Sequence, residues 1–290
     1  MGLGTVMQTA ASGMSAAIAT VQVTANNIAN LQTPGFKASR VSLATQTPQT
    51  ISLGLPLGVG NAGTNPVQFG SGVMVVGANV DWSQGQIVVD DQPALLALQG
   101  EGLFILENHR GERVYTRNGR FTLNAKDELV TEGGERLLGY GVDAEGELQT
   151  SNLAPLTIRL GSQVIGPGGG TATLKSFAIH KNGKITGYYS DGRSRLLAQI
   201  RVARFHNPLG LSQQAGSVFV ATPAAGLPVE SDPGEAGTGE IVSGAIEQSN
   251  VDLGKELIEL TLAGNLFQAN LAVFQTANVL LSEMFFPWRR

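Results

Sequence analysis

Two stretches at opposite ends of the chain carry apolar residues at helical spacing. Near the C-terminus, Leu253, Leu257, Leu260, Phe267, Leu271, Phe274 and Leu281 fall at alternating three- and four-residue steps, with Gly264 and Asn278 in the two remaining slots. That spacing predicts a seamed helix from Ser249 to Phe286. A second stripe through Ile258, Leu262, Leu266, Ala269, Val273, Leu280 and Met284 runs beside the first, so the helix is apolar around much of its circumference and needs neighbours on two sides. Ser249 followed by Asp252 reads as a capping box and Pro287 as the stop. Such a helix is roughly 50 Å long. An ordinary buried core helix is the plainer explanation; the second stripe favours a helix that packs once within the chain and again against other copies.

Met7, Ala11, Met14, Ile18, Val21, Ala25 and Ile28 repeat the pattern near the N-terminus. They predict a helix from Thr5 to about Asn30, about 38 Å long. Ala10, Ala11, Ala16, Ala17 and Ala19 allow another helix to approach closely. Asn26, Asn27 and Asn30 sit where this helix ends and Asn250 and Asp252 where the other begins, positions suited to bonding unpaired backbone groups and, at the surface, neighbouring subunits. Each helix is too apolar to stand alone in water, so the two are expected to pair with one another.

The middle of the chain changes period. Residues 38–80 hold one charge, Arg40, and read as an extended connector, with β-compatible sequence near Val73 to Val80. Residues 81–248 alternate in short runs, among them Leu103 to Leu106, Arg113 to Thr116, Leu156 to Leu160, Lys184 to Tyr189 and Leu196 to Phe205. Asn118-Gly119, Gly133-Gly134, Asn182-Gly183 and Asp191-Gly192 supply turns between them. The predicted architecture is mainly β with long terminal α-helices: residues 1–37 and 249–290 form a paired helical layer, 38–80 the connector and 81–248 the β-rich body.

Composition narrows the function classes. Of 290 residues, 42% are hydrophobic, enough for a core, while only 14% are charged and the net charge is -4; nothing basic or clustered suggests nucleic acid. There is no cysteine, which excludes a disulfide framework, a thiol nucleophile and cysteine metal sites. No uninterrupted apolar run reaches membrane-spanning length. A cleavable secretory signal is not expected either, since residues 1–36 lack Lys and Arg and their apolar residues are spaced.

The run Ala11-Ser12-Gly13-Met14, then Ala25-Asn26-Asn27-Ile28-Ala29-Asn30, then Thr33-Pro34-Gly35-Phe36-Lys37 resembles the N-terminal signature of bacterial flagellar rod and hook proteins. Ser249-Asn250-Val251-Asp252-Leu253, with Glu256-Leu257 and Phe267-Gln268-Ala269-Asn270, resembles their C-terminal signature, although Gly264-Asn265 stands where the family usually has Gln-Arg. Gly100-Glu101-Gly102-Leu103-Phe104 and Tyr115-Thr116-Arg117-Asn118-Gly119-Arg120-Phe121 resemble the family's β-core. Gly187 to Gly192 and Phe205 to Leu211 look more like the hook protein; the overall length, the short interval from Gln149 to Thr173 and Ser83-Gln84-Gly85 suit the distal rod protein.

The resemblance implies a non-enzymatic structural subunit that self-assembles into a helical homo-polymer. The hook, the joint that transmits torque between rod and filament, is the first expectation and the distal rod the alternative. It further implies terminal helices forming an inner tube, contacts with adjacent axial proteins and with hook cap and hook-filament junction proteins, and passage through the flagellar type III export apparatus to the cell exterior without a cleaved signal peptide. Assembly residues are expected at Met7, Met14, Ile18, Val21, Asn26, Asn27, Ile28, Asn30, Gly35 and Phe36, and at Asn250, Val251, Asp252, Leu257, Leu260, Phe267, Asn270, Phe274 and Leu281.

Candidates for chemistry are weak by comparison, and no cofactor is expected. His109, His180 and His206 stand alone, without a second ligand at helical or hairpin spacing. Gly166 to Gly170 lack the context of a phosphate loop. Asp90 and Asp91, or Asp143, Glu145 and Glu147, could furnish a glycosidase-like pair, but they sit beside turn residues. A secreted β-rich hydrolase is therefore the weaker rival, and a phage-tail-like fibre subunit would lack both terminal signatures.

Overall fold

The computed structural model describes residues 2–54, 63, 65–90, 92–143, 147–150, 152–165 and 171–285. Gly166 to Gly170, Asp91, Glu145 and the expected helix end at Phe286 and Pro287 lie outside the described residues. The chain divides into two compact units, one drawing on residues 1–29, 39–81 and 252–290, the other on 30–38 and 82–251.

In the first unit, helix α1 (Leu3–Ala29) lies against helix α2 (Leu253–Phe285). The two run antiparallel: Gly13 meets Asn270 and Asn27 meets Glu256, so fourteen residues forward along α1 match fourteen back along α2. Helix α2 starts later than its sequence suggests. Asp252, not Ser249, is the cap, its Oδ1 accepting from the backbone N–H of Gly254 at 2.9 Å and of Lys255 at 3.3 Å. Ser249 instead accepts from the N–H of Val251. An aspartate followed directly by the helix satisfies the first open donors without a reciprocal partner.

Where an extended connector was expected, strands Ser39–Thr45 and Val73–Val80 pair antiparallel, with a bulge between Ser42 and Leu43. Short strands Gln49–Ser52 and Val67–Phe69 also pair. The first hairpin packs on α1: Ser12 Oγ accepts from the N–H of Val73 at 3.2 Å, and a Cβ on the neighbouring Gly72 would stand 2.2 Å from that oxygen.

Among the described residues, the regular elements of the second unit are β-strands, apart from one 3-10 turn at Pro208–Gly210. Its main antiparallel path runs from Gln163–Ile165 through Thr171–Ile179, Lys184–Tyr189, Ser194–Ile200, Arg136–Gly141, Leu103–Glu107, Arg113–Thr116 and Val218–Val220 to Ser212–Gln214. Strand Leu103–Glu107 shows why a continuous apolar run belongs at the centre. Phe104 and Leu106 enter a cluster with Leu96, Leu98 and Ile200, whereas Leu103 and Ile105 enter another with Tyr115, Phe205 and Phe219. Alternate side chains fill cores on opposite faces.

Several details depart from the sequence pattern. The run Leu196 to Phe205 is two strands, since the chain leaves Arg136–Gly141 and at Val202–Arg204 pairs instead with Leu103–Phe104 and Val229–Ser231. Leu156 to Leu160 forms only a bridge at Thr157 with Glu128, although Leu156 and Ile158 are buried. Asn182-Gly183 and Asp191-Gly192 turn hairpins with the glycine at φ 77°, whereas Asn118-Gly119 closes on another segment: the Gly119 carbonyl accepts from the N–H of Leu96 at 2.9 Å.

Candidate assembly surface

Small and polar residues hold the most buried positions of the face on which α1 and α2 meet. On α1 the buried positions Ala10, Ala17, Thr24 and Asn27 fall at heptad spacing with Gly13, which touches α2. On α2 the buried residues are Glu256, Ala263 and Ala277; Leu260, Phe267, Asn270, Phe274 and Leu281, at the same spacing, are half-buried. Small side chains let the backbones approach where they face one another.

The apolar stripe expected to form the seam of α1 is therefore rotated off it by one position. Ile18 is exposed, and Met7, Met14, Val21 and Ile28 are half-buried beside the seam. On α2, Leu253 and Leu257 are exposed, and the second stripe is more open still, with Ile258, Leu262, Leu266 and Met284 between 55% and 62% exposed. The helix Leu253–Met284 has the length and mean hydropathy, 1.3, of a membrane span, yet only 6% of its apolar window is buried within the structure. Polar residues interrupt every long apolar run in this stretch without lowering its average enough to fail that test, a property an inspection of runs alone overlooks.

Other expected assembly residues serve the interior of the second unit. Gly35, Phe36 and Val251 are buried, Phe36 and Val251 in one small cluster with Ala38. Gly35, at φ 67°, lies so close to Asn118 that an added Cβ would stand 2.4 Å from its backbone nitrogen. Asn250 Oδ1 accepts from the N–H of Ala38 at 2.7 Å, and its Nδ2 donates to the Ser83 carbonyl at 3.0 Å. Asn250 thus joins segments of the β unit and does not start α2. Asn26 is exposed and Asn30 half-buried.

Beneath these residues lies an ionic cluster that spacing alone did not reveal. Glu247 accepts from Lys37 Nζ at 2.7 Å through Oε1 and from Arg117 Nε at 2.5 Å through Oε2, and all three side chains are at most 5% exposed. The N–H of Gly85 also donates to Oε1 at 2.9 Å. Lys37 donates further to the Ser83 carbonyl, and Arg117 to the carbonyls of Leu98, Gly100 and Gly102. Dense bonding offsets the cost of burying these charges. Lys37 and Arg117 each stand in a run singled out in the sequence, but only the fold brings Glu247 between them.

The residues considered for chemistry are dispersed. Asp143 and Glu147 close their own turn, the N–H of Glu147 donating to Asp143 Oδ1 at 2.8 Å. His109 faces the Gly133 carbonyl and His180 the Thr186 hydroxyl. His206 borders a cavity of about 380 Å³ together with Trp82, Leu103, Phe205 and Pro208. Lys37 and Arg117 also line it, and Glu247 already holds both.

The chain thus combines a β-rich unit with an antiparallel pair of terminal helices, much of whose apolar surface is exposed. Residues 7–37 match the flagella basal body rod protein family, 97–187 the flagellar hook protein FlgE/F/G D1 domain and 242–284 the flagellar basal body rod FlgEFG protein C-terminal family. Over 274 residues the chain is 30% identical to the flagellar basal-body rod protein FlgG of Bacillus subtilis (strain 168), covering 94% of this chain and 95% of that one. Against FlgG of Caulobacter vibrioides the identity is 32%, covering 95% and 96%. The flagellar hook protein FlgE of Borreliella burgdorferi is 30% identical over 77% of this chain but only 56% of its own. The chain belongs to the flagellar hook and basal-body rod family.

Proposed function

We propose that this chain is a distal rod subunit of the bacterial flagellum, a structural protein that polymerises with copies of itself. The alternative in the sequence reading is thus preferred to the hook. End-to-end correspondence carries the preference: rod relatives match over about 95% of both chains, whereas the hook relative has almost half its length unmatched. The short interval between Gln149 and Thr173 has no room for the large insertion of a typical hook protein.

In this proposal α1 and α2 form the assembly layer. The bare stripe from Ile258 to Met284 contacts other copies of the chain. A stripe that meets a different surface on its neighbour makes a heterologous contact, and such contacts extend into a helical polymer when they do not close a ring. Export through the type III apparatus and contacts with adjacent axial proteins follow from the same placement.

Electron microscopy of hook-basal bodies from a deletion strain, with a tagged copy restored, tests the proposal. Particles truncated before the distal rod, with label returning there, are expected. Complete rods lacking hooks would transfer the chain to the hook, and unchanged particles would reject an axial role. Leu262→Asp, at an exposed position, is expected to leave the monomer's circular dichroism unchanged and abolish incorporation.

A further inference from the structure

The large apolar residues on the α2 side of the seam, Leu260, Phe267, Phe274 and Leu281, cannot set the register of the helix pair, because they recur every seven residues. The small residues cannot do so alone either. Ala10 and Ala17 recur after seven residues and Ala263 and Ala277 after fourteen, so sliding one helix by a heptad, about 10 Å, keeps alanines in the seam of each helix. Two contacts break that degeneracy. Asn27 Nδ2 donates to Glu256 Oε2 at 3.1 Å, with Asn27 1% and Glu256 2% exposed, and Asn270 occupies the space opposite Gly13. Asn27 is fixed in turn by Ser39, whose N–H donates to its Oδ1 and whose carbonyl accepts from its Nδ2, both at 2.9 Å.

We infer that Asn27 with Glu256, and Asn270 with Gly13, are register keys: they select one antiparallel alignment of α1 and α2 and thereby fix the composite apolar surface offered to a second copy of this chain. A heptad slip in one direction sets Asn27 opposite Ala263 and leaves Glu256 beyond the end of α1. The opposite slip sets Asn270 opposite Val6 and leaves Asn27 beyond the start of α2. Either slip breaks the Asn27–Glu256 hydrogen bond and the fit of Asn270 against Gly13, so both are disfavoured. The inference rests on the assembly proposal only for the use made of that surface.

The chain has no cysteine, which permits a clean cross-linking test on the full-length monomer. Thr20 and Ala263 lie midway between the two keys. Thr20→Cys with Ala263→Cys is expected to oxidise within one chain at least about tenfold faster than Thr24→Cys with Phe267→Cys, a pair that meets only after a slip of about 10 Å, beyond disulfide reach. Removing the keys (Asn27→Leu, Glu256→Leu, Asn270→Leu) is expected to reduce that preference several-fold while helicity by circular dichroism persists; Glu256→Gln, which keeps an acceptor for Asn27, retains it. An unchanged preference without the keys would overturn the inference. So would loss of helicity in the keyless chain, which would assign the contacts to stability and not register. Neither cross-link requires polymerisation, so failure here is distinct from failure of the rod assignment.

Discussion

Gly13 and Asn270 stand so close that a Cβ on the glycine would lie 2.6 Å from Asn270 Oδ1. Asn270 turns its Nδ2 back to the Leu266 carbonyl at 2.8 Å, so its side chain is held along its own helix and not across the seam. The contact sets a residue without a side chain opposite a polar one. It brings the two helix backbones close at this point of the seam.

Replacing that glycine separates two effects. Gly13→Ala improves helix propensity by about 1 kcal/mol and displaces only the flexible end of Asn270, so near-neutral stability is expected. Gly13→Leu must part the helices and is expected to cost about 1–3 kcal/mol. Thermal unfolding followed at 222 nm distinguishes them; equal midpoints for both variants would mean that the helices do not depend on this approach.

The ionic cluster of the β unit is expected to dominate its sensitivity to charge removal. Glu247→Ala leaves Lys37 and Arg117 buried without their carboxylate and should cost about 3–5 kcal/mol. The exposed pair of Arg40 and Glu259, 2.8 Å apart, provides the contrast: Glu259→Ala should change stability by at most about 1 kcal/mol. Urea denaturation of each variant measures the difference, and similar losses would show that burial of the cluster is not decisive.

Two glycines are required by backbone contacts that no rotamer change relieves. Gly119→Ala would place a Cβ 1.5 Å from the Leu96 carbonyl oxygen, and Gly35→Ala would add a collision with Asn118 to a left-handed φ. Each is expected to destabilise the β unit by about 3 kcal/mol, seen as a lowered urea midpoint. Gly192→Ala has the left-handed φ but open space, so it should lose only about 1 kcal/mol.

These contacts also mark the limit of what the sequence discloses. Both terminal helices follow from their 3.6-residue period, and the β character of the middle from its alternation and its glycine turns. The seam of α1 lies one position off its apolar stripe, and that of α2 shares only part of its own, because period identifies an apolar face but not what that face meets. Leu257 and Ile18 are more hydrophobic than Ala263 and Ala17, yet it is the alanines that are buried. Gly35, Phe36, Asn250 and Val251 were expected at subunit contacts because they stand in the terminal signatures, whereas Phe36 and Asn250 meet around Ala38 inside the β unit. Glu247 carried no local signal: its partners lie 210 and 130 residues away, and such a meeting is a property of topology.

Tyr115 supplies a test at high pH. Its phenol is buried, and burial raises its pKa above the usual value; Glu230 raises it further while Arg113 acts in the opposite sense. The native state therefore retains a proton that the unfolded chain releases near pH 10. The resulting stability is fully present below about pH 10 and is lost as pH rises through the raised native pKa. Tyr115→Phe keeps the edge-to-face contact with Phe205, whose ring centroid lies 4.8 Å away, but has no proton to lose. Between about pH 8 and pH 11 its unfolding midpoint should fall less than that of the unaltered protein. Parallel declines would mean that other groups govern alkaline unfolding, and that the Tyr115 phenol titrates alike in the folded and unfolded chains.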